Sequence, residues 1–103
     1  MKTLSTKQIW EKKGLIFRPD SSKWWMRSHC QLPTVLPLEK DIYRVYFASR
    51  DKSQYSHVGY FEIDINEPEK PLEISEDPVL FPGEPGYFDE HGVYPSSIIK
   101  IKD

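Results

Sequence analysis

The sequence has a single cysteine, no long apolar run and no excess of basic residues. Because Cys30 has no second cysteine to pair with, an internal disulfide is excluded and a reducing cytoplasm is the simplest expected location. No stretch approaches the roughly 18 apolar residues of a membrane span, and the first residues lack the apolar core of a secretion signal. A formal charge of −2, with scattered lysines and arginines, argues against a basic nucleic-acid-binding face. We therefore expect neither a membrane nor a nucleic acid as partner.

Aromatic residues and prolines, by contrast, are abundant. Aromatics make up 14% of the 103 residues and prolines number nine. Together with short apolar runs, this composition is typical of an all-β protein with many loops. Aromatic rings also stack on the apolar face of sugar rings, although most of them pack in cores or in cross-strand pairs. The length suffices for one small domain.

Four short strands are predicted in succession, followed by the start of a fifth. The patterns predict strands at residues 29–36, 42–49, 57–65 and 72–74, with turns at 51–54 and 66–71. Upstream, the predictions are a helical turn or two within 3–13, a strand at 15–17 and a turn at 18–22. A loop rich in proline and glycine leads to a new strand at 93–101. Pro33 and Pro37 cannot donate to a ladder, so the strand at 29–36 is interrupted or lies at an edge.

This order predicts an all-β fold, an antiparallel four-stranded blade plus the start of a second blade of a β-propeller. The corresponding divisions are an N-terminal segment (1–27), the first blade (28–77), and a linker loop with the first strand of a truncated second blade (78–103). His29-x-x-x-Pro33 is repeated as His91-x-x-x-Pro95. Since the first strand of each propeller blade lines the central axis, we expect both histidines to face one central pocket.

Several motifs together carry a family resemblance. They are Gly14-Leu15-Ile16-Phe17, Trp25-Met26-x-Ser28-His29-x-Gln31-x-Pro33, Tyr43-Arg44-Val45-Tyr46-Phe47-x-Ser49-Arg50-Asp51, Ile63-Asp64-Ile65, Pro78-Val79-Leu80-x-Pro82-Gly83 and Phe88-Asp89-x-x-Gly92-Val93-x-Pro95-Ser96. Over residues 10–101 the chain resembles the first part of five-bladed β-propeller proteins related to glycoside hydrolases, the arabinanase, fructosidase and mannoside-phosphorylase group. Within that group it is most similar to an uncharacterised glycosidase-like branch. The resemblance implies a parent protein that acts on glycosidic bonds of a carbohydrate, without a cofactor.

The resemblance makes Asp89 the first catalytic candidate, as an acid, a base or an orienting carboxylate. Glycoside hydrolysis commonly uses two carboxyl groups that flank the scissile bond. The alternative is a loop aspartate that caps the turn before Gly92. Neighbouring Glu90 and His91 are candidates for substrate binding. At the equivalent position of the first blade, where related hydrolases often have a carboxylate, His29 is expected to bind a sugar hydroxyl or a phosphate, or else to pair with a backbone carbonyl.

Three further residues are candidates for substrate binding: Arg50, Asp51 and Trp25. The Arg50 guanidinium suits a carboxylate or phosphate, or else Arg50 and Asp51 form a pair that fixes the hairpin. Trp24 and Trp25 are expected either to form a sugar-stacking platform or to plug the bottom of the blade. A third alternative is that one tryptophan stacks and the other plugs, since neighbours on a strand face opposite ways.

No metal site is predicted, because the three histidines and Cys30 lack ligand spacing. Cys30 as a nucleophile would need His57 or His91 beside it.

Three hypotheses for function follow. The first is a glycosidase-like enzyme, of which this chain alone is expected to be inactive because two units cannot enclose a pocket. A five-bladed domain needs about five units of roughly 40–60 residues, and the chain contains one and the beginning of another. The second is a non-catalytic glycan-binding module. The third is a truncated remnant that self-associates through open sheet edges.

Overall fold

A computed structural model describes residues 9–101 as an all-β protein with one sheet. The strands are β1 (Ser28–Pro37), β2 (Ile42–Arg50), β3 (Ser56–Asp64) and β4 (Glu73–Ile74). All neighbours are antiparallel, and the spatial order is β1-β2-β3-β4. The predicted all-β class and the four consecutive strands are therefore confirmed. No helix within residues 9–101 is long and apolar enough to cross a bilayer.

The hairpin of β2 and β3 is the regular centre of the sheet. Its register runs without interruption from the pair Ile42 and Asp64 to the pair Arg50 and Ser56. Aromatic and β-branched side chains, which suit a pleated and half-buried surface, fill both strands. In the connecting turn, Asp51 Oδ1 accepts hydrogen bonds from the backbone N–H groups of Ser53 (2.9 Å) and Tyr55 (3.0 Å). This side-chain-to-backbone bonding is what fixes the loop length and the register.

β1 is an irregular edge strand. Its pairing with β2 shifts between Ser28 and Gln31 and again between Gln31 and Thr34. His29 and Leu32 have positive φ angles of 72° and 54°, in the left-handed region that most residues avoid. Bulges and prolines weaken the ability of an edge to pair with another chain. The predicted interruption and edge position are both present, and this edge is a poor template for self-association.

The opposite edge of β3 is covered by three short segments in turn. The backbone partners, from the end of β3 to its start, are Phe61 with Ile74, Val58 with Leu80, and Ser56 with Gly92. The Val93 N–H donates to the Ser56 carbonyl (3.1 Å), and the Ser56 hydroxyl donates to the Val93 carbonyl (3.0 Å). The chain after β4 therefore follows the sheet edge and brings residues 89–93 to the start of β3.

The hydrophobic core lies on one face of the sheet. Its buried members are Trp25, Met26, Val45, Phe47, Phe61 and Ile63. Phe17, from the segment before β1, stacks on Phe61 with ring centroids 4.1 Å apart. Trp25 has no exposed surface, and its indole N–H donates to the Glu76 carbonyl at 3.0 Å. Among the described residues, the core is thus covered by the chain segments before β1 and after β4 rather than by a second layer of secondary structure.

Gly59 leaves the space that the Trp25 ring occupies, since a Cβ atom at this position would overlap the indole. We expect Gly59→Ala to destabilise the protein by about 1–3 kcal/mol, because overpacking forces the neighbouring side chain to move. Urea unfolding followed by circular dichroism measures the change. In a Trp25→Phe background the same substitution should cost less, because the two positions contact each other. Equal costs in both backgrounds would show that Gly59 is required for another reason.

Two predicted strands do not form, and the described part of the predicted helical turn is not helical. Residues 9–13 are not helical, and 3–8 lie outside the described residues. Residues 15–17 and 93–101 lack strand pairing, apart from the single Gly92 bridge just before the second of them. The physical reason is that a strand needs partners along its whole backbone, whereas, among the described residues, the segment 93–101 bonds to β3 only through Val93 at its start. Ile65, which the predicted strand at 57–65 included, follows the end of β3 and is exposed.

Both faces of the sheet keep uncovered apolar surface. On the core face, a groove of about 620 Å³ is lined by residues that include Leu15, Val35 and Ile63. On the other face, Tyr46 and Val58 line a second groove of about 440 Å³ with the residues after Val93. The sheet is therefore an open unit with apolar surface on both faces.

Candidate functional site

Most of the predicted site residues lie at one end of the sheet. Backbone pairing joins Ser28 to Arg50, Arg50 to Ser56, and Ser56 to Gly92. The start of β1, the end of β2, the start of β3 and the turn before Gly92 are thus side by side. We call this the polar end, and its candidate residues are His29, Arg50, Asp51, Asp89, Glu90 and His91.

The two histidine motifs occupy opposite edges of the polar end. Adjacent strands lie roughly 4.8 Å apart, so three spacings separate Ser28 from Gly92 by roughly 14 Å. Within the described residues His29 and His91 therefore lie at different edges of the sheet, because the segment before Gly92 joins the far side of β3. That both histidines face one central propeller pocket stays a prediction.

His29 is exposed at the irregular start of β1. Its Nδ1 lies 2.8 Å from the Ser28 hydroxyl, and among the described residues no backbone carbonyl accepts from the ring, as the alternative prediction required. The buried Ser49 hydroxyl lies 2.8 Å from the carbonyls of both Ser28 and His29 and donates to this pair. Ser49 therefore holds the irregular backbone in place and leaves the imidazole at the surface.

Asp89 lies within the turn that precedes Gly92. Its carbonyl accepts hydrogen bonds from the backbone N–H groups of Gly83 (3.0 Å) and Gly92 (3.3 Å). Its half-buried carboxylate packs against Gly83, where a side chain would collide with it. The backbone of Asp89 thus has the turn-forming role of the alternative hypothesis, while the carboxylate remains beside a surface cleft.

That cleft, the Tyr55 cleft, has a volume of about 250 Å³. It is lined by Tyr55, Pro82, Gly83, Pro85, Glu90 and His91. The His91 and Tyr55 rings meet edge to face with centroids 5.4 Å apart. Glu90 accepts a 2.5 Å hydrogen bond from the Gly86 N–H and lies 3.7 Å from His91 Nε2. The cleft therefore brings an aromatic ring, a carboxylate and an imidazole together, and Tyr55 is the member that the sequence patterns missed.

Arg50 and Asp51, which the sequence suggested as a pair, have different partners. Asp51 Oδ2 lies 2.9 Å from His57 Nε2, and the His57 side chain is only 5% exposed. Arg50 Nη1 lies 3.5 Å from Gln54 Oε1, and its buried Nε has no partner among the described residues. The hairpin is thus fixed by an aspartate and a histidine rather than by an aspartate and an arginine.

Two opposing effects determine the pKa of Asp51. Burial favours the neutral acid, but hydrogen bonds from His57, Tyr55 and Ser53 stabilise the carboxylate and leave its pKa below the usual value. The Trp24 ring meets His57 edge to face at 5.1 Å and covers the pair. The signal for this pair was present in the sequence, because strand alternation puts His57 on the apolar face, close to the end of β2 across a short hairpin.

Trp25 does not fit the predicted role in substrate binding. Its ring is entirely buried, so no face is free to stack on a sugar, and it has the alternative role of a plug. Trp24 points the other way and is 55% exposed, as expected for neighbouring residues. Cys30 lines the apolar groove of the core face, where burial raises the pKa of its thiol to about 11. Residues 9–101 contain no group of three or more side chains placed to hold a metal ion.

The chain matches no protein-family model and no solved structure. It is similar to two uncharacterised proteins of Mycobacterium tuberculosis, one from strain CDC 1551 and one from strain H37Rv. Each is 40% identical over 94 residues, which cover 91% of this chain. The same residues span only 31% of each relative, so the chain corresponds to about a third of their length.

Proposed function

We propose that the chain is part of a glycosidase-like β-propeller protein that acts on glycosidic bonds, and that its polar end forms one wall of the sugar site. The observation that carries this proposal is the Tyr55 cleft. An exposed aromatic ring offers apolar surface for the C–H face of a sugar, while Glu90 and His91 offer hydrogen-bonding groups for its hydroxyls. A mainly apolar cleft with a few polar groups at its rim is the usual form of a small-ligand site.

The sheet itself supports the propeller part of the proposal. Four antiparallel strands in sequential spatial order form the arrangement that propeller blades repeat around an axis. A blade must pack against neighbours on both faces, and both faces of this sheet keep apolar grooves. The two relatives are about three times as long as the matched region, which leaves room for further blades.

In this proposal Asp89, which packs against Gly83 at the edge of the cleft, supplies a carboxylate as an acid, a base or an orienting group. Hydrolysis needs a second carboxyl group about 5–5.5 Å away for retention, or about 6.5–9.5 Å away for inversion. Glu90 is a poor second group, because the Gly86 N–H already engages its carboxylate. The partner of Asp89 would come from another blade, and we expect the 103-residue chain to bind sugar without cleaving it.

Replacing Tyr55 with alanine tests the cleft. We expect binding of a neutral sugar such as glucose, followed by NMR chemical-shift titration of the chain, to weaken roughly 3–10-fold, as for loss of one aromatic contact. Tyr94→Ala is the matched control, since Tyr94 is similarly exposed (48% against 41%) but lies outside the cleft. Absence of binding, or equal losses in both variants, would contradict a sugar site at Tyr55.

Two alternatives have distinct outcomes. Sugar binding that survives Asp89→Ala, with no hydrolysis by longer homologues, favours a non-catalytic glycan-binding module. Self-association through strand edges would appear in sedimentation experiments as a mass that rises with concentration. We expect self-association least, because bulges and prolines interrupt β1 and the edge of β3 is covered.

A further inference from the structure

Within residues 9–101, the half-buried guanidinium of Arg50 has no negatively charged partner. No carboxylate among the described residues forms an ion pair with it. Its contact with Gln54 Oε1 is 3.5 Å long, beyond the 2.7–3.2 Å of an ordinary N–H···O bond, and its Nε–H is buried without an acceptor. A half-buried guanidinium in this state loses hydration without full compensation. An external acceptor would supply what is missing.

A second unpartnered polar group lies near Arg50 on the same face of the sheet. Gln31 Oε1 is buried without a donor, and Gln31 pairs with Ala48, two residues before Arg50. The irregular stretch of β1 between Ser28 and Thr34 carries Gln31, and strained or bulged backbone is concentrated at functional sites. His29, with its exposed ring and a φ of 72°, belongs to the same stretch. A donor of Arg50 and an acceptor of Gln31, both buried without partners among the described residues, thus lie on the neighbouring strands β2 and β1.

We infer that Arg50 forms an oxyanion-binding position, with the His29 imidazole beside it, and that the ligand of the polar end includes a carboxylate or phosphate group. One oxygen of that group replaces Gln54 Oε1 on the guanidinium and forms a short, charge-assisted hydrogen bond. Gln31 Oε1, which is an acceptor, would instead take a hydrogen bond from a hydroxyl of the same ligand. Two strand spacings, roughly 10 Å, separate Arg50 from Gly92 beside the Tyr55 cleft. The acidic group of a sugar bound in the cleft can reach Arg50 across that distance. Alternatively, a free anion binds at Arg50 beside a neutral sugar. This inference rests on the proposed function.

Titrations of the chain with glucuronate, glucose and inorganic phosphate, followed by NMR, test the position. We expect glucuronate to bind roughly 10-fold more tightly than glucose, as for one charge-assisted hydrogen bond. Arg50→Gln should remove this advantage, so that glucuronate and glucose bind this variant equally. The matched control is Arg27→Gln, which removes an equal charge from an exposed residue whose N–H donates to the Arg50 carbonyl. Arg50→Lys, which keeps the charge but not the planar fork, should retain part of the advantage.

Each outcome either supports or overturns an oxyanion-binding position at Arg50. Equal affinities for glucuronate and glucose, with no binding of phosphate that depends on Arg50, overturn the inference while leaving the Tyr55 cleft intact. Equal losses for Arg27→Gln and Arg50→Gln also overturn it, since the effect is then general charge attraction. Phosphate binding that requires Arg50, without preference for glucuronate, supports the position and identifies a free anion as its occupant. That result holds even where glucose does not bind and the proposed sugar cleft is wrong. If Arg50→Gln does not fold, a glucuronate affinity unchanged in Arg50→Lys contradicts the oxyanion position.

Discussion

Replacing Trp25 with alanine is expected to destabilise the protein by about 3–5 kcal/mol, the usual cost of removing a large buried aromatic side chain. The ring has no exposed surface, packs against Phe47 with centroids 5.7 Å apart, and fills the space above Gly59. Its indole N–H also ties the segment before β1 to the Glu76 carbonyl after β4. Small domains are stable by about 5–15 kcal/mol, so this one substitution should remove a large share of the free energy of unfolding.

Urea unfolding followed by far-ultraviolet circular dichroism measures this loss without depending on tryptophan emission. Trp24→Ala is the control, because the neighbouring ring is 55% exposed and should cost less than about 1 kcal/mol. Trp25→Phe should fall between the two, since it keeps part of the ring but not the N–H. Similar losses for Trp24→Ala and Trp25→Ala would mean that the core is not organised around Trp25.

The central strands could be predicted because their residues favour strand conformation and their partner strand lies next to them in the sequence. Residues 42–49 and 57–65 combine aromatic and β-branched residues with a polar turn, and the observed β2 and β3 differ from these limits by about one residue. Pro33 and Pro37 indicated an interrupted edge strand, because each lacks a backbone donor. In these elements the side-chain pattern and the hydrogen-bonding partner lie within the same short stretch of chain.

Where a structure depends on a distant partner, the sequence patterns were insufficient. Residues 15–17 and 93–101 have strand-like composition, but no ladder forms without a neighbouring strand. Alternation indicated that one of two adjacent tryptophans is buried, but only the contact of Trp25 with Gly59 decides which one. The same holds for the polar end, since the backbone pairing of Ser56 with Gly92 places His91 across the sheet from His29.

Asp51→Ala is the second substitution with a large expected effect, a loss of about 2–4 kcal/mol. Asp51 accepts three hydrogen bonds, from the backbone N–H groups of Ser53 and Tyr55 and from His57 Nε2, all between 2.9 and 3.0 Å. Its removal leaves a histidine that is only 5% exposed without its acceptor and frees the turn that sets the register of β2 and β3. The control Asp77→Ala, which removes an exposed carboxylate 3.4 Å from Trp24 Nε1, should change stability by less than about 0.5 kcal/mol.

The pH dependence of Asp51→Asn separates the charge of Asp51 from its role as an acceptor. The amide oxygen can still accept from Ser53 and Tyr55, so this variant should lose less stability than Asp51→Ala. Because the folded-state pKa of Asp51 is lowered, the charged carboxylate contributes stability that is complete above the unfolded pKa of about 4. That contribution is lost as the pH falls through the still lower folded pKa. The difference between the native protein and Asp51→Asn in urea unfolding should therefore be largest near neutral pH and shrink steadily below about pH 4. A difference that is constant down to about pH 2 would mean that shape and hydrogen bonding, rather than the negative charge, account for the stabilisation.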